Sequence, residues 1–144
     1  MKKLLVLTIV VVFVAACSTV PITGRKQMNL LPESQMMSMS LTSYNQFLGS
    51  NPVVATTDQR AQQVKRVGEK IAAAATRYLK IKGASDRVAG YNWEFNVVES
   101  NDVNAWAMPG GKVVFYTGIL PIAQDEDGIA VVMGHEVAHA IARH

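Results

Sequence analysis

An α+β fold is predicted by three features of the sequence. Two stretches with helical spacing occupy the first half, Glu33–Leu48 and Ala61–Tyr78. A two-residue alternation and a glycine-rich turn follow between Trp93 and Thr117, and an apolar helical run carrying the sequence H-E-x-x-H comes last. Strands gathered in one stretch between helices, instead of alternating with them, indicate a small sheet covered by helices.

The chain opens with Lys2 and Lys3, then an apolar run from Leu4 to Ala16. That run is shorter than the about 20 residues a helix needs to cross a bilayer core, so residues 1–16 read as a signal peptide. It ends in Val14-Ala15-Ala16-Cys17, which resembles a bacterial lipobox. The expectation is a lipidated Cys17, anchored through several acyl chains at about 0.8 kcal/mol per buried CH₂. A plain secreted protein or an uncleaved anchor is the alternative. Ser18 in place of aspartate favours the outer membrane by analogy with enterobacterial sorting. Cys17 is the only cysteine, which excludes a disulfide framework and a Cys-based metal site.

Of 14 Lys and Arg residues, Lys2 and Lys3 fall in the signal segment, leaving 12 against 11 Asp and Glu. A nearly neutral remainder with no basic stripe excludes a nucleic-acid partner. Oligomeric state is not readable. Residues 17–31 read as a lipidated tether, with Pro21, Gly24, Arg25 and Lys26 and no sustained period. Residues 32–144 read as the domain.

Within it, Met37, Leu41, Tyr44 and Leu48 recur at helical spacing from Glu33 onward. Met28, Met36, Met37 and Met39 read as pliable core filler, in preference to a copper site. Gly49-Ser50-Asn51-Pro52 ends this helix. Thr56-Thr57-Asp58-Gln59 matches a capping box, opening a helix with Ala61, Val64, Val67, Ile71, Ala75 and Tyr78 on one side. It is amphipathic and packs on the domain; a basic membrane-binding helix is the lesser reading, because the apolar stripe is ordinary. Lys82–Gly90 reads as a loop. Trp93, Phe95 and Val97 then alternate with Glu94, Asn96 and Val98, a half-buried strand. Val103–Met108 and Lys112–Thr117 flank Pro109-Gly110-Gly111, a hairpin signal. Gly118–Gln124 leads to Asp125, an N-cap for the last helix.

That helix holds all three histidines, His135, His139 and His144. Residues four apart on a helix lie about 40° apart around the axis and about 6 Å along it. His135 and His139 therefore share a face and can reach one zinc ion at roughly 2.0–2.1 Å. Glu136 falls about 60° round from His139, beside the metal, where it suits a general base for the attacking water. The neighbours Ile129–Gly134, Val137, Ala138 and Ala140–Ala142 are apolar, so the helix is expected to be buried on nearly all sides, with a metal compensating its polar residues. His144 lies about 180° round from His135. It departs from the metzincin spacing, so it reads as a residue that supports the ligands or caps the helix, and not as a third ligand.

Asn104-Ala105-Trp106-Ala107-Met108-Pro109-Gly110-Gly111, the strand at Lys112–Tyr116 and His135-Glu136-x-x-His139-x-x-x-Arg143-His144 form a specific combination. It resembles the HtpX and CAAX-prenyl-protease superfamily of zinc metallopeptidases. The likeness to its bacterial lipoprotein branch extends to Pro21-Ile22-Thr23-Gly24-Arg25. The resemblance implies a zincin-like domain with a gluzincin site. His135 and His139 would be zinc ligands and Glu136 the base, with a glutamate of a later helix as third ligand. It also implies that the hairpin edge, Asn104, Ala105, Trp106 and Ala107, pairs with an extended substrate, with Trp106 reading equally as a core residue. Gly128 stands where the family often has glutamate, at some expected loss of helix stability. The third-ligand helix would lie beyond His144, so the expectation is a member truncated after the H-E-x-x-H helix, with the C-terminal half missing. Glu126 is too far up the helix to substitute, and no spacing rule selects Glu94 or Glu99.

The expected function is that of a lipid-anchored, periplasm-facing zinc metalloendopeptidase acting on misfolded or misassembled envelope proteins. The alternative is an inactive lipoprotein that binds clients through the hairpin edge, as a chaperone would. A closed structural zinc site is disfavoured, because Glu136 has no purpose in one.

Overall fold

In the computed structural model, residues 17–19, 26–28 and 31–143 are described, with side chains from Leu31 onward. The expected signal peptide, most of the tether and His144 lie outside the described residues. Two short strands, β1 (Cys17–Thr19) and β2 (Lys26–Met28), pair antiparallel with Cys17 opposite Met28. Parts of the segment read as a tether thus pair as strands.

Helix α1 (Glu33–Ser50) begins after Pro32, whose lack of an N–H costs nothing at a helix start. It ends where Asn51 Nδ2 donates back to Phe47 O at 2.7 Å. Its buried stripe is narrower than the sequence period suggests. Tyr44 is fully buried, Phe47 and Leu48 pack beside it, and Leu41 and Met39 face solvent. Helix α2 (Gln59–Ile81) is capped by Asp58, whose Oδ1 accepts from Arg60 N at 2.8 Å, and not by Thr56. A tight turn closes first, Asp58 N to Ala55 O at 2.9 Å, so the helix starts after it. Val64, Val67, Ala72 and Leu79 are buried. The segment read as a loop holds a 3₁₀ turn at Ser85–Val88.

Strands β3 (Glu94–Val98), β4 (Ala105–Met108) and β5 (Lys112–Tyr116) form one sheet in the order β3-β5-β4. The hairpin β4–β5 is antiparallel, as expected, and turns through Gly110 and Gly111 at φ +89° and +82°, values that favour glycine. β3 runs parallel to β5, with Phe95 opposite Val113 and Val97 opposite Phe115. The pleat sorts the side chains. Phe95, Val97, Val113, Phe115, Ala105 and Ala107 face the main core with α2 and the last helix, α4 (Glu126–Ala142). Val98, Val114, Trp106 and Tyr116 face α1 around Tyr44. The sheet is therefore covered on both faces, and β3 is not the half-buried strand that its alternation suggests.

Lys112 lies under α1 and is only 4% exposed. Its ammonium donates to Asn92 O at 2.9 Å, pairs with Glu94 and sits 5.9 Å from the Tyr44 ring centroid. These partners compensate the burial of the charge.

Candidate metal centre

After β5 a 3₁₀ turn (Thr117–Ile119) and the one-turn helix α3 (Leu120–Ala123) lead into α4. Asp125 caps α4, as its sequence position suggests: its Oδ1 accepts from Gly128 N at 3.0 Å. Gly128 has a tertiary reason. A Cβ there would lie 1.9 Å from Ala123 O, so only glycine lets α3 fold back against the first turn of α4.

Ile129, Met133, Val137 and Ala140 form the buried stripe of α4. The rest of the helix is not enclosed, contrary to the expectation of burial on nearly all sides. Val131 is 75% exposed, and Ala138 and His135 are exposed too. The physical reason is that one sheet face and α2 cover one side of α4, and nothing among the described residues covers the other.

On that open side His135 and His139 meet. Their Nε2 atoms are 3.0 Å apart and their rings, 4.5 Å between centroids, are inclined at 73°. Two nitrogens bound to one tetrahedral zinc at about 2.0–2.1 Å would lie about 3.3 Å apart, so this pair fits a single ion. Glu136, half-buried, follows His135 on the helix. Among the described residues no third His, Cys, Asp or Glu completes a metal-sized cluster.

The other carboxylates weighed from sequence are committed elsewhere. Glu126 pairs with Arg66 at 2.8 Å and Lys70 at 3.6 Å. Glu94 pairs with Lys112, and Glu99 with Arg60 at 2.7 Å.

The hairpin residues divide. Ala105 and Ala107 point towards the α4 core, whereas the Trp106 ring packs edge-on against Phe47 and Tyr44 and donates to Tyr116 Oη at 3.3 Å. Trp106 is a core residue on the face opposite α4, so its ring is turned away from the histidines. Asn104 is exposed, and its carbonyl accepts from Tyr116 N at 3.0 Å. In an antiparallel ladder the bonded residues alternate, so Trp106 and Met108 also bond to β5. The backbone groups of Ala105 and Ala107 then face outward along the sheet edge beside α4.

Two contacts at the end of α4 carried no sequence signal, because their partners are far away in the chain. Tyr91 Oη donates to Ala140 O at 3.2 Å, one residue past His139. Arg143, in a left-handed conformation at φ 60°, ends the helix and pairs with Glu33 at the start of α1.

Comparison with known proteins places these residues in a family. The chain is similar to the mitochondrial metalloendopeptidase OMA1 of Schizosaccharomyces pombe, with 32% identity over 127 residues, which is 87% of this chain and 34% of that protein. It is also similar to the metalloprotease YcaL of Escherichia coli, at 27% identity over 90% of this chain and 52% of that protein. The beta-barrel assembly-enhancing protease of Escherichia coli is 25% identical over 92% of this chain and 25% of its own length. The chain thus spans about a third of the first of these relatives and about half of the second. The profile of peptidase family M48 matches residues 58–144, from the cap of α2 through the sheet and the paired histidines, and the chain belongs to that family.

Proposed function

We propose that the chain is the active-site portion of a zinc-dependent metalloendopeptidase, held at the cell envelope by a lipidated Cys17 and facing the periplasm. The observation that carries the reading is the pair of imidazoles 3.0 Å apart on the open side of α4, with the half-buried Glu136 next to His135 in the helix. His135 and His139 would hold zinc through Nε2, with a third ligand outside the described residues. Bound zinc supplies a Lewis acid that polarises the scissile carbonyl and eases deprotonation of water. Glu136 takes the proton from the attacking water and delivers it to the leaving amine. The outward N–H and C=O groups of Ala105 and Ala107 bind an extended stretch of polypeptide as an added strand, which selects unfolded segments over folded ones.

Misfolded or misassembled envelope proteins are the substrates this edge favours. The lipobox-like Val14-Ala15-Ala16-Cys17 and the segment Pro21–Arg25 support placement in the lipoprotein branch, at the outer membrane. One feature favours a second reading, a non-catalytic client-binding module: the open β4 edge would bind extended chains without any metal. The test is Glu136→Gln in the protein loaded with zinc, on an unfolded protein substrate. Glu136→Gln keeps the size and hydrogen bonding of the side chain but removes its basicity. Cleavage should fall by about 10²–10⁴-fold or more while zinc content stays unchanged. Equal cleavage by the zinc-loaded variant overturns the mechanism. Binding with no cleavage by either protein favours the module.

A further inference from the structure

Between α2 and β3 runs an open, shallow groove that the metal centre does not use. It has a volume of about 560 Å³, and Ala72, Ala73, Trp93 and Phe95 form its apolar walls. The Trp93 and Phe95 rings are stacked nearly parallel, 6.2 Å between centroids with 2° between their planes, and both line the groove. Arg77 and Lys80 line the same groove, with Glu69 about two turns earlier on the helix.

Charge along α2 is unevenly compensated. Arg60, Lys65, Arg66 and Lys70 each have a carboxylate partner within 4 Å, Lys65 taking Glu69 at 3.9 Å. Arg77 and Lys80 make no ion pair among the described residues. At the same helix end Ile81 is 76% exposed, an apolar side chain open to solvent. An exposed apolar tip set among cations matches a membrane interface, where apolar side chains enter the headgroup boundary and cations meet lipid phosphates.

We propose that this groove binds an anionic phospholipid at a membrane surface. The lipid phosphate sits between Arg77 and Lys80, an acyl chain lies against Trp93 and Phe95, and Ile81 enters the headgroup boundary. An acidic peptide would meet the same two cations but would leave the exposed Ile81 unexplained. The contact is separate from an anchor on Cys17 and does not depend on peptidase activity.

The test uses the full chain with vesicles of brominated phosphatidylglycerol or brominated phosphatidylcholine, reading tryptophan emission. Trp106 is packed under α1, so local quenching reports Trp93, and Trp93→Phe verifies this. An apolar N-terminal segment or anchor attaches the chain to either vesicle, so the comparison between the two lipids isolates the groove. Phosphatidylglycerol should quench and phosphatidylcholine should not. Arg77→Gln with Lys80→Gln should weaken the quenching on the order of tenfold, and Lys65→Gln should leave it unchanged. Added salt should also reduce it. Equal quenching by both lipids, no quenching by either, or full quenching in the Arg77→Gln, Lys80→Gln variant overturns the proposal. A Trp93 response to an acidic peptide but not to phosphatidylglycerol vesicles also overturns it, in favour of a protein partner.

Discussion

His135 and His139 need no long-range contact to find each other. The helix places them on one face, and the side chains converge to 3.0 Å. What they lack among the described residues is a third ligand, so each is indispensable to the metal. His135→Ala or His139→Ala in the whole protein should remove stoichiometric zinc, read by elemental analysis after dialysis. Retention of one zinc per chain by either variant would mean that other residues hold it. Lys112 shows the opposite case. Nothing in its place in the sequence, beside a glycine turn at the start of a strand, marks it for burial. The sheet instead buries it under α1, where Asn92 O, Glu94 and the Tyr44 ring receive it.

At the scale of elements, α4 is positioned by its first turn and by α2. Gly128 gives a prediction with an unusual sign. In an ordinary helix Gly→Ala gains up to about 1 kcal/mol. Here the new Cβ would meet Ala123 O at 1.9 Å, so Gly128→Ala should destabilise the protein by about 1–3 kcal/mol through the forced shift of α3. Urea denaturation checks the sign, and a gain would show that the close approach is not kept. Glu126 ties α4 to α2. The Arg66 guanidinium bonded to it, with Lys70 nearby, holds its carboxyl below the usual 4.5. A lowered folded pKa means that this stabilisation is fully present above about pH 4.5 and is lost as pH falls through the folded value. Thermal stability should therefore fall on acidification below that range, and less steeply in Glu126→Gln. Because the pair is exposed to solvent, the difference should shrink in high salt. Identical acid profiles for the two proteins would show that the pair contributes nothing.

The whole molecule is proposed to sit at a membrane surface, with the outer side of α4 uncovered among the described residues. Among the described residues no helix is long and apolar enough to cross a membrane. Cys17 and the α2 groove are the two proposed attachments. If Cys17 carries the anchor, Cys17→Ser should release the protein from membranes or stall its processing. Labelling with a fatty acid should then mark wild type only, and equal labelling of both would exclude the anchor.

The sequence by itself determined the α+β class, the β4–β5 hairpin, the Asp125 cap and the shared face of His135 and His139, because each follows from local backbone geometry over a few residues. It misjudged the Thr56 cap, where a competing turn closes first, and the enclosure of α4, where apolar composition does not say whether a neighbour exists. Only the tertiary structure decided that β3 lies parallel to β5, that α1 covers the second sheet face, and that the Trp106 ring points away from the histidines. It alone paired Glu94, Glu99 and Glu126 with distant cations and brought Tyr91 and Arg143 to the end of α4. Those outcomes depend on side chains tens of residues apart meeting across packed layers, which no short-range spacing encodes.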